Sequence, residues 1–110
     1  WEMNFCQTPK PPYYAVIFTT RRVNNSNDGY NEMAEKIDQM VKDQPGYLGM
    51  ESVRNENGYG ITACYWSDAE SISKWKENLA HQEAQTKGMS DWYEDYFLRV
   101  AKVERDYGTV

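Results

Sequence analysis

Few residues in this chain have the chemistry for catalysis or metal binding, and their spacing joins them into no recognised constellation. His81 is the only histidine, and on a helix it lies beside Glu77, where a solvated side chain explains it. Cys6 and Cys64 are too few for a disulfide framework or a metal site. No serine stands in a nucleophile–base–carboxylate set. We therefore expect no metal site, and the sequence names no catalytic residue.

Two tryptophans are better candidates for a ligand site. Trp66 closes an apparent strand, and Trp75 lies on the apolar side of the helix that follows. Both can be core residues between helix and sheet, or they can line a pocket in the same gap for a small apolar ligand. The sequence leaves both interpretations open.

The elements that position these tryptophans are centred on residues 46–66, which have the pattern of a β-hairpin. Asn57-Gly58 can close its turn because both residues tolerate positive φ. Further strands are predicted over 13–20 and about 92–104, and helices over about 29–43 and 67–87. The order β-α-β-β-α-β predicts a ferredoxin-like α+β fold, with a four-stranded antiparallel sheet and both helices on one face.

The predicted helices have recognisable ends. In the first helix an apolar stripe runs to Val41, and Pro45-Gly46 stops the helix. Ser67 and Glu70 have the spacing of a capping box at the start of the second helix. Gly88 is the expected left-handed stop of that helix.

The first, third and last strands are apolar on both faces. In the first strand, one face carries Tyr13, Ala15 and Ile17, and the other carries Tyr14, Val16 and Phe18. An antiparallel sheet with helices on one side normally presents a polar opposite face to water. Because the predicted elements leave none to cover that second face, the pattern predicts a homodimer packed sheet to sheet.

Length, charge and hydropathy limit the number of domains and the kinds of partner that the chain can have. The chain has 110 residues and a net charge of −5, which suits one domain and disfavours nucleic acids, since phosphates attract clustered Lys and Arg. With no long apolar run and no signal-peptide core, we expect no membrane partner and a cytoplasmic protein. Residues 1–12 are a Pro-rich N-terminal arm, 13–104 the domain, and 105–110 a C-terminal tail.

Several stretches, taken in order, resemble the antibiotic biosynthesis monooxygenase superfamily: YYAVIF, QPGYLGMES, YW followed by SDAESISKW, and WYEDYFLRVAKVER. The resemblance covers about residues 13 to 104. It implies a dimeric α+β barrel, made of two sheets face to face, with a cavity between sheet and helices. Some members of the family oxygenate aromatic phenols or quinols without metal or flavin, and others bind and open haem.

The functional residues of that family match this chain only in part. Trp66 matches the strand-end Trp of the cofactor-independent members, whereas Thr62 stands at the position of their Asn and Ile72 at that of their Tyr. Trp75 matches the position of the Trp on the second helix of the haem-degrading members. The position of their axial His is occupied by Gln85 in this chain. Thr and Ile do not easily replace an amide donor and a phenol that orient and deprotonate a substrate.

From the resemblance we expect a cofactor-independent monooxygenase, with no bound cofactor, acting on a small aromatic or quinone-like molecule. The candidate cavity residues are Thr62, Tyr65, Trp66, Ile72 and Trp75. The alternative is a non-catalytic domain that binds a small molecule, haem included, or that acts as a dimeric interaction domain.

Overall fold

The computed structural model describes the backbone of residues 5–22, 30–86 and 93–109, and the side chains of 5–22, 35–79 and 95–109. The elements are β1 (Tyr13–Arg22), α1 (Tyr30–Lys42), β2 (Tyr47–Arg54), β3 (Tyr59–Trp66), α2 (Ala69–Thr86) and β4 (Tyr93–Val103). Neither described helix combines the length and the apolar character that crossing a membrane requires.

The strands form one antiparallel sheet in the order β2-β3-β1-β4. This order, with two helices, confirms the ferredoxin-like α+β fold. The register fixes which side chains share a face: Val16 of β1 is opposite Cys64 of β3 on one side and opposite Val100 of β4 on the other. Since side chains alternate along a strand, Tyr14 and Trp66 lie on that same face.

Both helices pack on the face that carries Val16, Cys64 and Trp66, which we call the helix side. The core there has Trp66 and Val41 of α1 at its centre, 0% and 2% exposed, with Trp75 of α2 at 9%. The α1 stripe predicted from the sequence reaches this core through Ile37, Met40 and Val41; its first half lies outside the described side chains. This shared core therefore holds α2, and with it Trp75, against the end of β3.

The hairpin turn is formed by Asn55 to Gly58. The Asn55 side-chain oxygen accepts hydrogen bonds from the backbone N–H groups of Asn57 and Tyr59, both at 3.0 Å. Gly58 has a φ of 93°, a left-handed conformation that glycine adopts without steric cost. The predicted reversal at Asn57-Gly58 is therefore present, and it sets the register between β2 and β3.

The start of α2 differs by one residue from the predicted capping box. Asp68, rather than Ser67, is the cap, because its Oδ1 accepts the Ser71 backbone N–H at 2.7 Å. Ser67 instead donates its hydroxyl to the second carboxylate oxygen of Asp68 at 2.9 Å. These hydrogen bonds, the one from the Ser71 amide first, lower the pKa of Asp68. The expected stop at Gly88 lies outside the described residues.

The opposite face, which we call the helix-free side, is covered at one end by the chain itself. The Cys6 backbone N–H donates to Glu51 Oε2 at 3.0 Å, and the Thr8 hydroxyl donates to the Tyr13 hydroxyl at 3.1 Å. Tyr13 in turn donates to Asp106 of the C-terminal tail at 2.6 Å. The expectation that no element of the chain covers this face is therefore wrong at the Tyr13 end, where Tyr13 and Ala15 are buried.

The rest of the helix-free side carries a row of apolar side chains that are more than half exposed. Val53, Ile61, Thr19 and Phe97 are neighbours across β2, β3, β1 and β4 in one register. Val53, Ile61 and Phe97 are 58%, 51% and 59% exposed. We call these three side chains the apolar row.

Candidate functional site

The two tryptophans named by the sequence meet in the helix–sheet layer. Their ring centroids are 6.3 Å apart and the ring planes are inclined by 32°. Trp66 is also in edge-on contact with Tyr47, whose ring centroid is 5.7 Å away. Ile72, one turn before Trp75 on α2, packs against the same cluster. The structure therefore brings together three of the five candidate residues, Trp66, Ile72 and Trp75, inside a packed core.

The indole nitrogen of Trp66 has an unusual environment. Trp66 is fully buried, and its Nε1–H has no hydrogen-bond partner in the part of the chain that the structure describes. The thiol of Cys64 lies close enough for that N–H to lower its pKa, but burial outweighs this effect and raises the pKa of Cys64 to about 12. Cys64 is thus a neutral thiol that lies near the indole without forming a hydrogen bond with it.

Thr62 shares the helix side but belongs to the hairpin end of the sheet. It is two residues before Cys64 on β3 and lies between Ser52 of β2 and Phe18 of β1. Its hydroxyl forms a 2.8 Å hydrogen bond with the Ser52 hydroxyl. A hydroxyl held in this way can orient a ligand, but a neutral hydroxyl is too weak a base to accept a proton from it.

Tyr65 lies on the helix-free side, away from the tryptophans. Its hydroxyl donates to Glu51 Oε1 at 2.8 Å, and its ring meets that of Tyr13 edge-on at 6.0 Å. Burial, then the hydrogen bond to Glu51, raises the pKa of Tyr65 to about 12. The structure thus separates Tyr65 from the other candidates and uses it to support the terminal arm.

A second part of the helix side was not singled out as a site from the sequence. Tyr96, Leu98 and Val100 of β4 lie on this side and are 48%, 50% and 59% exposed. Phe18 of β1 packs against Tyr96, with ring centroids 5.8 Å apart. We call Phe18, Tyr96, Leu98 and Val100 the apolar floor. The signal was the alternation in β4, which we interpreted only as a sign of dimerisation.

The described residues contain no group of three or more His, Cys, Asp or Glu side chains that could hold a metal ion. His81, the only histidine, and Gln85, at the axial position of the haem-degrading members, lie in α2 beyond the side chains that the structure describes. The geometry at hand therefore names no residue that would hold a cofactor.

Sequence comparison identifies two informative relatives, although no family model matches the chain. The uncharacterised protein YqjZ of Bacillus subtilis is 52% identical over 100 residues, covering 90% of this chain and 86% of YqjZ. The jasmonate monooxygenase ABM of Pyricularia oryzae is 31% identical over 94 residues, covering 82% of this chain. The matched region makes up 43% of that larger protein.

Solved structures share the fold at low sequence identity. SnoaB, a cofactor-independent oxygenase from Streptomyces nogalater, superposes with a TM-score of 0.70 at 7% identity, over 87% of this chain and 97% of SnoaB. A dabb family protein with a ferredoxin-like fold from Mesorhizobium loti gives a TM-score of 0.60 at 8% identity, over 83% of this chain and 96% of that protein. At 7% and 8% identity these structures show the ferredoxin-like fold alone, and the sequence match to the Pyricularia oryzae protein, over 82% of this chain, identifies the chain as a relative of the antibiotic biosynthesis monooxygenase superfamily.

Proposed function

We propose that this protein is a cofactor-independent monooxygenase that oxidises a small aromatic or quinone-like molecule between its helices and its sheet. The observation that carries this proposal is the apolar floor. Its β4 side chains are about half exposed although they lie on the face that the helices cover elsewhere. Small-molecule sites are lined mainly by such apolar and aromatic side chains, with a few polar groups among them.

The comparisons support the oxygenase class. One relative is named a jasmonate monooxygenase, and SnoaB is described as a cofactor-independent oxygenase. In such a reaction the substrate supplies the electrons: a CH₂ group and O₂ give a carbonyl group and water, so that one oxygen atom enters the product. The described residues would exclude water and orient the substrate, with the indole of Trp66 at the buried end of the layer.

The test is oxygen uptake by the purified protein with a panel of quinols and polycyclic phenols. We expect one O₂ consumed per substrate, and one ¹⁸O atom in the product when ¹⁸O₂ is used. Substitutions on the floor, Leu98→Asp and Val100→Asp, should abolish uptake, whereas Tyr107→Ser, at a side chain 94% exposed on the tail, should not. Uptake that is unaffected by both floor variants would refute this site.

A second function, non-catalytic binding, is favoured by Thr62. Thr62 stands at the position of the Asn of the cofactor-independent members, and its hydroxyl is hydrogen-bonded to that of Ser52. The same protein preparation separates the two functions: quenching of tryptophan fluorescence by a ligand that is never consumed indicates a binding domain. Saturable quenching together with oxygen uptake indicates the enzyme.

We further propose that the protein is a homodimer in which the apolar row of one copy packs on that of another. The row has one member each on β2, β3 and β4, with Thr19 of β1 between Ile61 and Phe97, and its three members are more than half exposed. Exposed apolar surface of this kind on a sheet is typical of protein interfaces. The terminal arm and tail, which cover the Tyr13 end, would lie at the margin of this interface.

A further inference from the structure

A guanidinium group lies at the hairpin end of the apolar floor. Arg54, the last residue of β2, extends across β3 and donates to Thr20 Oγ1 of β1 at 3.0 Å and to the Gly58 carbonyl at 2.6 Å. Thr20 is 3% exposed and lies on the helix side, two residues after Phe18. Arg54 thus places its charge over the middle of the sheet although its own strand is at the edge.

Gly60 is the residue that permits this placement. A Cβ atom at Gly60 would lie 2.7 Å from Cζ of Arg54 and 2.9 Å from its Nη2. Gly60 is not among the residues with positive φ, so the backbone conformation alone does not require glycine. The missing side chain is instead what lets the planar guanidinium lie against the β3 backbone.

The register shows what surrounds this charge. The cross-strand neighbours of Gly60 are Arg54 and Thr20, and Thr20 is opposite Tyr96 of β4. The next row on the same side consists of Ser52, Thr62, Phe18 and Leu98. A cation, hydroxyl groups and apolar side chains therefore adjoin one another on one surface.

A purely structural role for Arg54 accounts for only part of this arrangement. Its hydrogen bonds to Thr20 and Gly58 do fasten the hairpin to β1. They do not explain why the surface beside the cation is apolar and half exposed on Tyr96, Leu98 and Val100. A guanidinium group recognises carboxylates through paired N–H donors, and an adjoining apolar surface adds affinity for the body of the same molecule.

We propose that the site takes a small apolar carboxylate, whose anionic group binds Arg54 and whose body lies on the apolar floor. This inference rests on the proposed function for the location of the site, and it adds the chemical class of the ligand. Thr62 and Thr20 lie where their hydroxyl groups border the carboxylate end. Tyr96, Leu98 and Val100 border the apolar end.

The experiment compares naphthalene-1-acetate with naphthalene-1-acetamide, which has the same body without the charge, by calorimetry on the full chain. We expect the acid to bind roughly tenfold or more tightly than the amide, as a charged hydrogen-bonded pair provides. Arg54→Gln should reduce acid binding to the level of the amide and leave amide binding unchanged. Gly60→Ala should act in the same direction, because it displaces the guanidinium.

Arg99→Gln is the matched control. Arg99 lies on the helix-free side over the ring of Phe97, with its Cζ 4.4 Å from the ring centroid, so the variant loses the same charge far from the site. Its preference for the acid should equal that of the original protein. Arg54→Lys, which keeps the charge and should keep the hairpin folded, should retain only part of the preference because it lacks the planar fork.

Equal binding of acid and amide, no binding of either, or equal losses in Arg54→Gln and Arg99→Gln would each overturn the proposal. Thermal unfolding of every variant identifies a loss of binding that is caused by misfolding. If Arg54→Gln misfolds, the preference of Arg54→Lys for the acid over the amide is the deciding measurement. These measurements require no turnover. Arg54-dependent binding of the acid without oxygen uptake by any substrate would therefore refute the monooxygenase while leaving the carboxylate site standing.

Discussion

Trp66 and Trp75 face each other across the boundary between sheet and helices, with ring centroids 6.3 Å apart. Trp66 is the last residue of β3 and α2 begins three positions later, at Ala69. Because the connection is so short, the cap at Asp68 fixes the phase of the helix and so decides which of its side chains meets Trp66. The pair is thus set by local geometry, and it forms the inner end of the candidate site.

Replacing Trp66 by Phe should cost little stability. A buried N–H without a partner costs about 1–3 kcal/mol, and Phe removes that group while keeping most of the ring. We expect Trp66→Phe to stay within about 1 kcal/mol of the original protein in urea unfolding, and Trp66→Ala to lose about 3–5 kcal/mol. Equal losses in the two variants would show that the indole N–H has an acceptor.

The one-residue shift of the α2 cap can be tested by hydrogen exchange. Asp68→Ala removes the acceptor of the Ser71 amide, so that amide should exchange faster, whereas in Ser67→Ala it should keep its protection. Since the pKa of Asp68 is lowered on folding, the protection should be present above the unfolded pKa of aspartate. It should disappear as the pH falls through the lower, folded value. Faster exchange of the Glu70 amide in Ser67→Ala, with an unchanged Ser71 amide in Asp68→Ala, would instead support the predicted capping box.

The order of the elements, the α2 cap and the face of Tyr65 differ in how well the sequence predicts them. Element order was predictable because each helix and strand has its own periodicity and end signals. The cap was less certain, since Ser67 and Asp68 are both good capping residues and only the path of the chain chooses between them. Tyr65 directly precedes Trp66 in a strand, so alternation already placed it on the other face.

Contacts between distant segments were not predictable in this way. Cys6 meets Glu51, and Tyr13 meets Asp106, across 45 and 93 positions of sequence, and no local pattern announces such pairs. In the sequence, Gly60 is one of several glycines within the predicted hairpin, where glycine is common. Its role beside Arg54 became visible only once both strands were in register.

Gly46 should be among the least replaceable residues. It has a φ of 85°, and a Cβ atom there would lie 2.7 Å from Cβ of Ser71 and 2.9 Å from Oγ of Ser67. We expect Gly46→Ala to lower stability by at least about 1–3 kcal/mol, the cost of a left-handed non-glycine residue alone. Gly108→Ala is the control, because its Cβ would meet nothing within 4 Å. Similar urea midpoints for both variants would contradict the observed contact.

Alkaline pH should weaken the fold through Tyr65. Its pKa is raised from 10.0 to about 12, so the unfolded chain releases the proton first. Its contribution to stability is therefore complete below pH 10 and is lost as the pH rises through about 12. Tyr65→Phe should make the urea midpoint less dependent on pH in this range. Tyr107→Phe, which removes the same hydroxyl from an exposed side chain, should not, and an equal change in both variants would contradict the assignment.

Two equally exposed residues of β4, on opposite faces of the sheet, allow the dimer interface and the ligand site to be tested separately. Phe97 and Val100 are both 59% exposed, but Phe97 lies on the helix-free side and Val100 on the helix side. In sedimentation equilibrium at low micromolar concentration, we expect twice the chain mass of 12.9 kDa. Phe97→Glu should give the monomer because it places a charge in the apolar row, which the proposed dimer buries. Val100→Glu should remain a dimer and lose only ligand binding. A monomeric original protein would show that no dimer forms. Dissociation by Val100→Glu but not by Phe97→Glu would show that the two faces have been assigned the wrong way round.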